Sequence, residues 1–390
     1  VSDIVVRIAA RGDGVTASGR HVAFAAPGDV VAEDGSVTAG PHRQVPPCRH
    51  FPECGGCQLQ HVDDEAYAAY LVERVSGALA QHDLTGDVRA PHLSPPRTRR
   101  RATLRAMKAG GRVLLGFNAE KSNRIIDLAE CHILRPELFA LLDPLRRLLG
   151  LLLAPKRTAE IHLTLADQGV DLLLKGVKAD GFEAAQGLVD FAGEQGLARL
   201  SLDEGVGPEV RWEPQPATAT LSGRPVPLPI AAFLQATEDG ERALVDSVLE
   251  AVGTPATSAD LFAGIGTFAL ALPGRVLAAE AGRGAVLALK RAAPSIAAQH
   301  RDLYRRPLMA DELNGLDAVV LDPPRSGAEA QVEQLAASTV PRIAYVSCNP
   351  ATFARDAAVL VSGGYRLDWV RPVGQFRWST HVELAAAFSR

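Results

Sequence analysis

Along the opening stretch SDIVVRIAARGDGVTASGRHVAFAAPGDVVAE, apolar and polar positions alternate and are broken by GDG and PGD turns. A period of two sets one face of each strand on a core and the other in water, so residues 1 to about 45 predict a small antiparallel β-barrel. The period lengthens in DDEAYAAYLVERVSGALAQHD, where apolar residues recur at helical spacing behind acidic residues suited to a helix start. From about Leu93 to Ala232 the pattern is mixed. Gly and Pro turns separate alternating runs such as EIHLTLADQGVDLLLKG from the helical PELFALLDPLRRLLG, as in an α+β domain. From about Thr237, Ala- and Leu-rich helices alternate with short apolar strands, the pattern of a doubly wound sheet. The expected organisation is a multidomain α/β chain, with a barrel at 1–45, an α+β middle domain at 46–235 and a doubly wound α/β domain at 236–390.

Composition adds limits. The chain has 390 residues and 47% hydrophobic content, enough for two or three cores. No run approaches the roughly 20 uncharged apolar residues of a membrane span. The longest, LLGLLLAP and AVVLDPP, fit a helix end and a core strand. A net charge of −4 excludes a uniformly basic nucleic-acid coat. One block departs from it: between Arg97 and Arg124, nine cations including Arg99, Arg100, Arg101 and Arg105 face only Glu120. Such a block can neutralise several phosphates, or it can be the solvated face of an edge hairpin.

Five cysteines carry the next signal. Cys48, Cys54 and Cys57 in PCRHFPECGGCQLQH, with distant Cys131, suit a tetrathiolate site, because the adjacent glycines let the backbone fold tightly around a bound group. The spacing leaves zinc and an iron–sulfur cluster both open. A disulfide framework fits poorly in a long chain with few cysteines, one left over and no apolar signal segment, so a reduced, cytoplasmic setting is expected. The fifth, Cys348 in VSCNP, stands at a predicted strand end, where it reads as a nucleophile or, more plainly, as a buried inert thiol.

The C-terminal part holds the cofactor signal. In TSADLFAGIGTFALAL an apolar strand ends at Asp260 and turns through Gly264 and Gly266 into a predicted helix, where backbone can approach a ligand closely. RVLAAEA supplies a second strand ending in Glu280, placed to accept bonds from ribose hydroxyls. A dinucleotide site prefers a further Gly where Phe268 or Ala269 stands, whereas S-adenosylmethionine has no pyrophosphate to cradle; a turn serving packing alone is the alternative. LDAVVLDPPRSGA ends a strand at Asp322, and its successive prolines stiffen the chain there. Arg325 after the prolines argues against an amino-group methyltransferase, which favours an aromatic at that place. THVELAAAF sets Glu383 in a terminal strand, where a buried carboxylate needs a partner or a task.

CRHFPECGGCQLQH with Cys131, DLFAGIGTF, LDPPRSG, VSCNPATFARD and HVE together resemble the RNA uracil-5-methyltransferases, in particular the iron–sulfur branch that modifies 23S ribosomal RNA. The resemblance runs over nearly the whole chain in the family's order. It implies a TRAM-type RNA-binding barrel, a [4Fe–4S] cluster on Cys48, Cys54, Cys57 and Cys131, and a Rossmann-like domain that binds S-adenosylmethionine. It further implies that Cys348 adds to carbon 6 of uracil, that Glu383 is the base, and that Asp322 hydrogen-bonds the uracil edge beside the cofactor. Phe233 and Gln235 match a Phe-x-Gln that holds base and cofactor. Asp260, Gly264 and Gly266 fall on the methionine side, Glu280 on the ribose, and Asp302 or Asp311 on the adenine. Arg99 and Arg101 are expected to hold opened RNA. Thr237 stands where the family has asparagine, and Gly374 where it commonly has aspartate. The barrel reads as abbreviated, since Val1 starts directly on a strand. A monomer acting on 23S rRNA without a membrane is the leading expectation; the same chemistry on tRNA, and a non-catalytic RNA-binding or assembly protein, are the alternatives. Intact Cys348, Asp322 and Glu383 argue against the last.

Overall fold

The computed structural model describes residues 2–390; Val1, the expected start of the opening strand, lies outside them. Asp3–Ile8, Gly14–Thr16, His21–Val22, Val30–Val31 and Val37–Thr38 form one antiparallel sheet with Asp3–Ile8 in the middle. Its own core is small, chiefly Val5, Ala25 and Val31. Buried Asp29 compensates: it accepts the N–H groups of Ala26 and Gly40 and pairs with Arg43. A fully buried carboxylate with these partners ties the turns that short strands cannot hold.

A six-stranded sheet fills the middle, in the order Pro208–Trp212, Arg199–Asp203, Gly169–Lys175, Thr158–Ala166, Arg101–Ala109, Arg112–Gly116. EIHLTLADQGVDLLLKG becomes a hairpin whose turn is Asp167 and Gln168, with Ile161 and Leu163 alternating into the core. The Phe182–Glu194 helix crosses over to make the parallel pair with Arg199–Asp203.

The C-terminal sheet has nine strands. Ala297–His300, Arg275–Glu280, Thr257–Leu261, Ala318–Leu321 and Arg342–Ser347 run parallel, and Glu383–Ser389 and Arg366–Gly374 follow antiparallel. Strand order reverses on either side of Thr257–Leu261, so a crevice opens at the carboxyl ends there. All four residues of Ala318–Leu321 are buried, as a strand covered on both faces requires.

The middle domain does not begin at residue 46 as a packing unit. The Asp64–Ala80 helix, capped by Asp63 on the Ala66 N–H, buries Tyr67, Leu71 and Val75 in the core of the C-terminal sheet, and Asp87–Val88 and His92–Leu93 pair with its edge strand. Apolar spacing predicted the helix but not which sheet would cover it. Among the described residues no helix is long and apolar enough to cross a membrane.

Candidate functional site

Three strand ends build the crevice. Asp322 follows Ala318–Leu321, and its N–H donates to the Leu261 carbonyl at 3.2 Å. Cys348 follows Arg342–Ser347. Ser347 pairs with Leu384 in an antiparallel ladder, so the next residue on each strand, Cys348 and Glu383, comes opposite. Asn349 fixes the geometry from behind: its Nδ2 donates to the Arg325 carbonyl at 3.0 Å while its Oδ1 caps the Pro350–Ser362 helix on the Ala351 N–H. The loop after Asp322 and the loop carrying Cys348 are thereby tied together.

Two glutamines join the carboxylates. Gln375 hydrogen-bonds Glu383, donates to Gln235 Oε1 at 2.8 Å and accepts the Ala236 N–H at 2.7 Å. Gln235 Nε2 reaches Asp322 Oδ2 at 3.4 Å. Glu383 is 6% exposed, and burial pushes its carboxyl up to about 7 against the opposing pull of Arg101 and Arg325. Asp322 is raised well above the carboxylate range, by burial first and then by the charges of Glu383 and Asp260. The Cys348 thiol is pushed up to about 11 by burial, then by Glu383 and Asp322, with Arg325 acting against them. These shifts describe three acids sharing one dry crevice, where adding negative charge is costly.

The glycine turn lies beside it. Asp260 is fully buried: Oδ2 accepts the Ala269 N–H at 2.8 Å, and Oδ1 has no partner. Burial pushes this carboxyl to about 7. Glu280 accepts the N–H groups of Gly264 and Gly282, bracing the turn. Gly264, at φ 56°, faces open space, whereas a Cβ on Gly266 would meet Leu289 at 2.6 Å; the first glycine leaves room and the second allows packing. The expected helix after the turn is absent: residues 262–271 form successive turns before Arg275–Glu280 begins. Asp302 lies just past the Ala297–His300 strand on the crevice side, next to Arg301, whose N–H donates to the Glu280 carbonyl at 2.8 Å. Asp311 is one element further on, in Ala310–Leu313.

The two family departures have local causes. Thr237 caps Glu238–Val252 on the Gly240 N–H and bonds Ser94 Oγ at 2.9 Å. At Gly374 a Cβ would meet Leu71 at 2.9 Å and Leu93 at 3.1 Å, so the packed Asp64–Ala80 helix leaves no room for a side chain.

The basic block is divided: Arg97, Arg112, Lys121 and Arg124 are exposed, whereas others are drawn into the fold. Arg100 is buried against Glu241 at 2.5 Å and the Gln235 carbonyl; Arg105 pairs with Glu160 and Arg124 with Glu53. Arg99 lies between the rings of Phe117 and Phe376, 5.8 and 5.3 Å from their centroids, and not on an open phosphate-binding surface. Arg101 sits 4.3 Å over the ring of Phe233, which is 56% exposed. Alternation along the strand sends successive arginines to different faces, which the charge count concealed.

Cys48, Cys54, Cys57 and Cys131 line one pocket, together with Phe51, Phe117 and Glu130. Among the described residues no group of three or more His, Cys, Asp or Glu is placed to hold a metal ion, although all four thiols face the same pocket. Burial raises all four thiols, Cys54 to about 11 and Cys57 to about 12. A Cβ on Gly55 would meet the Asn118 carbonyl oxygen at 2.8 Å, so the turn between Cys54 and Cys57 depends on glycine there. Gln60, which spacing did not single out, is buried, accepts the Cys48 N–H at 3.2 Å and hydrogen-bonds Cys57. Its only sequence signal was its place three residues after Cys57.

Comparison with known proteins agrees with this architecture. The model for the tRNA (uracil-5-)-methyltransferase family matches residues 295–390. An uncharacterized RNA methyltransferase of Zymomonas mobilis is 49% identical over 99% of both chains. The 23S rRNA (uracil(1939)-C(5))-methyltransferase RlmD of Halomonas elongata is 34% identical over 89% of this chain and 77% of its own. The fold matches that of the Pyrococcus abyssi tRNA (uracil-54, C5)-methyltransferase, solved with S-adenosyl-L-homocysteine, at a TM-score of 0.75 and 21% identity over all of both chains. With identity of this extent spanning the crevice and the cysteine loops alike, the chain belongs to the RNA uracil-5-methyltransferase family.

Proposed function

We propose that this chain forms 5-methyluridine in RNA, with 23S rRNA as its substrate and S-adenosylmethionine as methyl source. The observation that carries the reading is the register that sets Cys348 opposite Glu383, with Asp322 joined to them through Gln235 and Gln375. Carbon 5 of uracil is a weak nucleophile until a nucleophile adds at carbon 6. The Cys348 thiolate, its proton lost to solvent, forms that bond, and Asp322, whose carboxyl burial raises well above the carboxylate range, hydrogen-bonds the uracil edge as charge builds there. Carbon 5 then takes the methyl group that S-adenosylmethionine would supply, and S-adenosylhomocysteine leaves as the carbon–sulfur bond breaks. Ionised Glu383 takes the carbon-5 proton, and the electron pair left behind restores the ring double bond and expels the Cys348 thiolate.

The residues around the glycine turn fit the cofactor. Gly264 leaves space, Glu280 and Asp302 offer acceptors at adjoining strand ends, and unpartnered Asp260 Oδ1 lacks a donor. Exposed Phe233, with the partly buried Arg101 guanidinium over its ring, is suited to an unstacked base and its phosphate. The cysteine pocket has the four thiol donors for a [4Fe–4S] cluster, which would hold the loops together without entering the reaction. The short N-terminal sheet suits an RNA-binding barrel, and the protein is expected to act as a cytoplasmic monomer.

The four-cysteine cavity and the Halomonas relative favour 23S rRNA. The name of the matching family model and the Pyrococcus fold support tRNA as the second reading. Mass spectrometry of 23S rRNA and bulk tRNA, each incubated with S-adenosylmethionine and wild type or Cys348→Ala, tests both. New 5-methyluridine in 23S rRNA with the wild type alone is the expected result. Methylated tRNA instead would move the substrate to the second reading, and no product on either RNA would overturn the activity.

A further inference from the structure

Arg99 lies between the two sites just described. It lines a small pocket with Gly56, Ile133, Gln375 and Phe376, and Gly56 and Ile133 also line the pocket of the four cysteines. The two spaces therefore share a wall. On one side of the guanidinium is Phe117, itself a wall of the cysteine cavity, and on the other is Phe376, next to the glutamine that bonds Glu383. Arg99 Nε donates to the Arg101 carbonyl at 3.0 Å. Among the described residues no carboxylate pairs with Arg99, and Cys57 and Cys131 are the side chains that would hold it as a cation once they carry charge. The neighbouring arginines do have carboxylates, Glu241 for Arg100 and Glu383 for Arg101. A cation withdrawn from water between two rings needs an anion, and the anion available here is a thiolate-held group.

The backbone follows the same route. The Gln58 and Leu59 N–H groups, directly after Cys57, both donate to the Trp378 carbonyl at 2.8 Å. Arg99 exchanges backbone bonds with Ile133 and Arg135, just after Cys131. The segment carrying Gln375 and Phe376 is thus held by the two stretches that supply cysteines.

We propose that Arg99 is the counter-cation of the group bound by the four cysteines and, through Phe376, a positioning residue for the candidate active site. This rests on the cluster reading given under the proposed function. A positive charge beside a thiolate cluster stabilises its more negative, reduced form and opposes loss of the metal. Removing it makes the cluster harder to reduce and easier to strip.

The test uses full-length protein reconstituted with iron and sulfide, as wild type, Arg99→Met and Arg99→Lys. Iron per chain, the rate of iron release to a chelator, and the midpoint potential are measured, with KM and kcat on an RNA substrate alongside. Arg99→Met is expected to release iron about tenfold faster and to shift the one-electron reduction equilibrium about tenfold toward the oxidised form, about 59 mV. Arg99→Lys keeps the charge and is expected to stay near the wild type in potential while KM rises, because the planar stacking on Phe376 is lost. A Met variant with wild-type iron release and potential overturns the proposal. If that variant does not fold, the Lys variant decides, and a Lys potential displaced by a similar tenfold overturns it. A wild type that takes up no iron overturns the cluster reading itself, a failure visible before any variant is made.

Discussion

The crevice around Cys348 and the cavity around Cys57 are built by opposite means. In the crevice, regular strands deliver every acidic or nucleophilic group: Asp322, Cys348 and Glu383 sit at ends of hydrogen-bonded ladders whose register alone brings them together. In the cavity the cysteines lie in turns, tied by short contacts such as the Cys54 N–H on the His50 carbonyl and the single bridge between Cys54 and Ala119. A ladder is paid for by the whole sheet and persists when one side chain changes. A loop wall lined by four thiols has little of its own to hold it, so the proposed cluster is expected to supply stability there.

That contrast is broken most severely at the nucleophile. Cys348→Ala is expected to lower turnover by at least about 10⁴-fold, since no other group forms the carbon–sulfur bond, while its thermal midpoint stays near the wild type because the residue is half-buried at a strand end. Single-turnover kinetics and a melting curve on the same protein separate the two effects. A melting point that fell with the activity would mean that the crevice is not independently held.

Glu383→Gln sharpens the comparison through pH. As a base Glu383 must be ionised, so wild-type turnover is expected to show an inflection as pH passes about 7, on top of the rise that ionisation of Cys348 gives both proteins, and the variant to lose roughly 10²- to 10⁴-fold and that inflection with it. Stability moves oppositely. A carboxyl raised by folding from 4.5 to about 7 contributes fully below its unfolded pKa, and that contribution is lost as pH climbs through about 7. The neutral glutamine is therefore expected to stabilise the fold by roughly 3 kcal/mol above that pH, measured by urea unfolding at pH 6 and 8. A variant less stable than wild type at pH 8 would contradict the assignment of a strained, buried base.

In the cavity the order reverses. Cys57→Ser is expected to cost more than about 3 kcal/mol of stability in protein loaded with its metal, with activity falling only as the folded fraction falls. Calorimetry with and without a chelator measures it, and a variant melting like the loaded wild type would remove the structural role.

A smaller effect belongs to the glycine turn. Gly266→Ala places a methyl 2.6 Å from Leu289 at φ 102° and is expected to cost roughly 1–3 kcal/mol of folding stability. Gly264→Ala meets open space, so its main effect is expected in weaker S-adenosylmethionine binding by calorimetric titration. Equal destabilisation by both would erase the division between packing and approach. The weakest effect is expected from Arg101→Ala, a loss of about tenfold in RNA affinity with a salt slope lower by about 1; an unchanged affinity and slope would remove Arg101 from the RNA surface.

Much of the crevice was legible because apolar runs such as AVVL and IAYV announce buried strands, and the polar residue that ends each run falls at the sheet edge. What periodicity cannot say is which distant strand will lie alongside. That Leu384 would pair with Ser347, and so bring Glu383 to Cys348, is set by tertiary register. The same limit hid the attachment of the Asp64–Ala80 helix to the C-terminal sheet, where Tyr67 donates to the Phe376 carbonyl at 3.2 Å. The cation-rich stretch misled for a different reason. Charge counts ignore partners, and Glu241, which neutralises Arg100, lies far along the chain. After Gly266 the chain makes only isolated helical-type bonds, Leu270 N–H to the Gly266 carbonyl and Leu272 N–H to the Phe268 carbonyl, too few for the expected helix.

The covalent step is the centre of this account, and one measurement addresses it directly. Glu383→Gln is incubated with S-adenosylmethionine and 23S rRNA, digested, and examined by intact-mass and peptide mass spectrometry. With the base gone the carbon-5 proton cannot leave, so the account predicts a methylated uridine adduct that accumulates on the peptide carrying Cys348 and is absent from the Cys348→Ala, Glu383→Gln double variant. Free 5-methyluridine formed at the wild-type rate without any adduct, or an adduct on another residue, would contradict it.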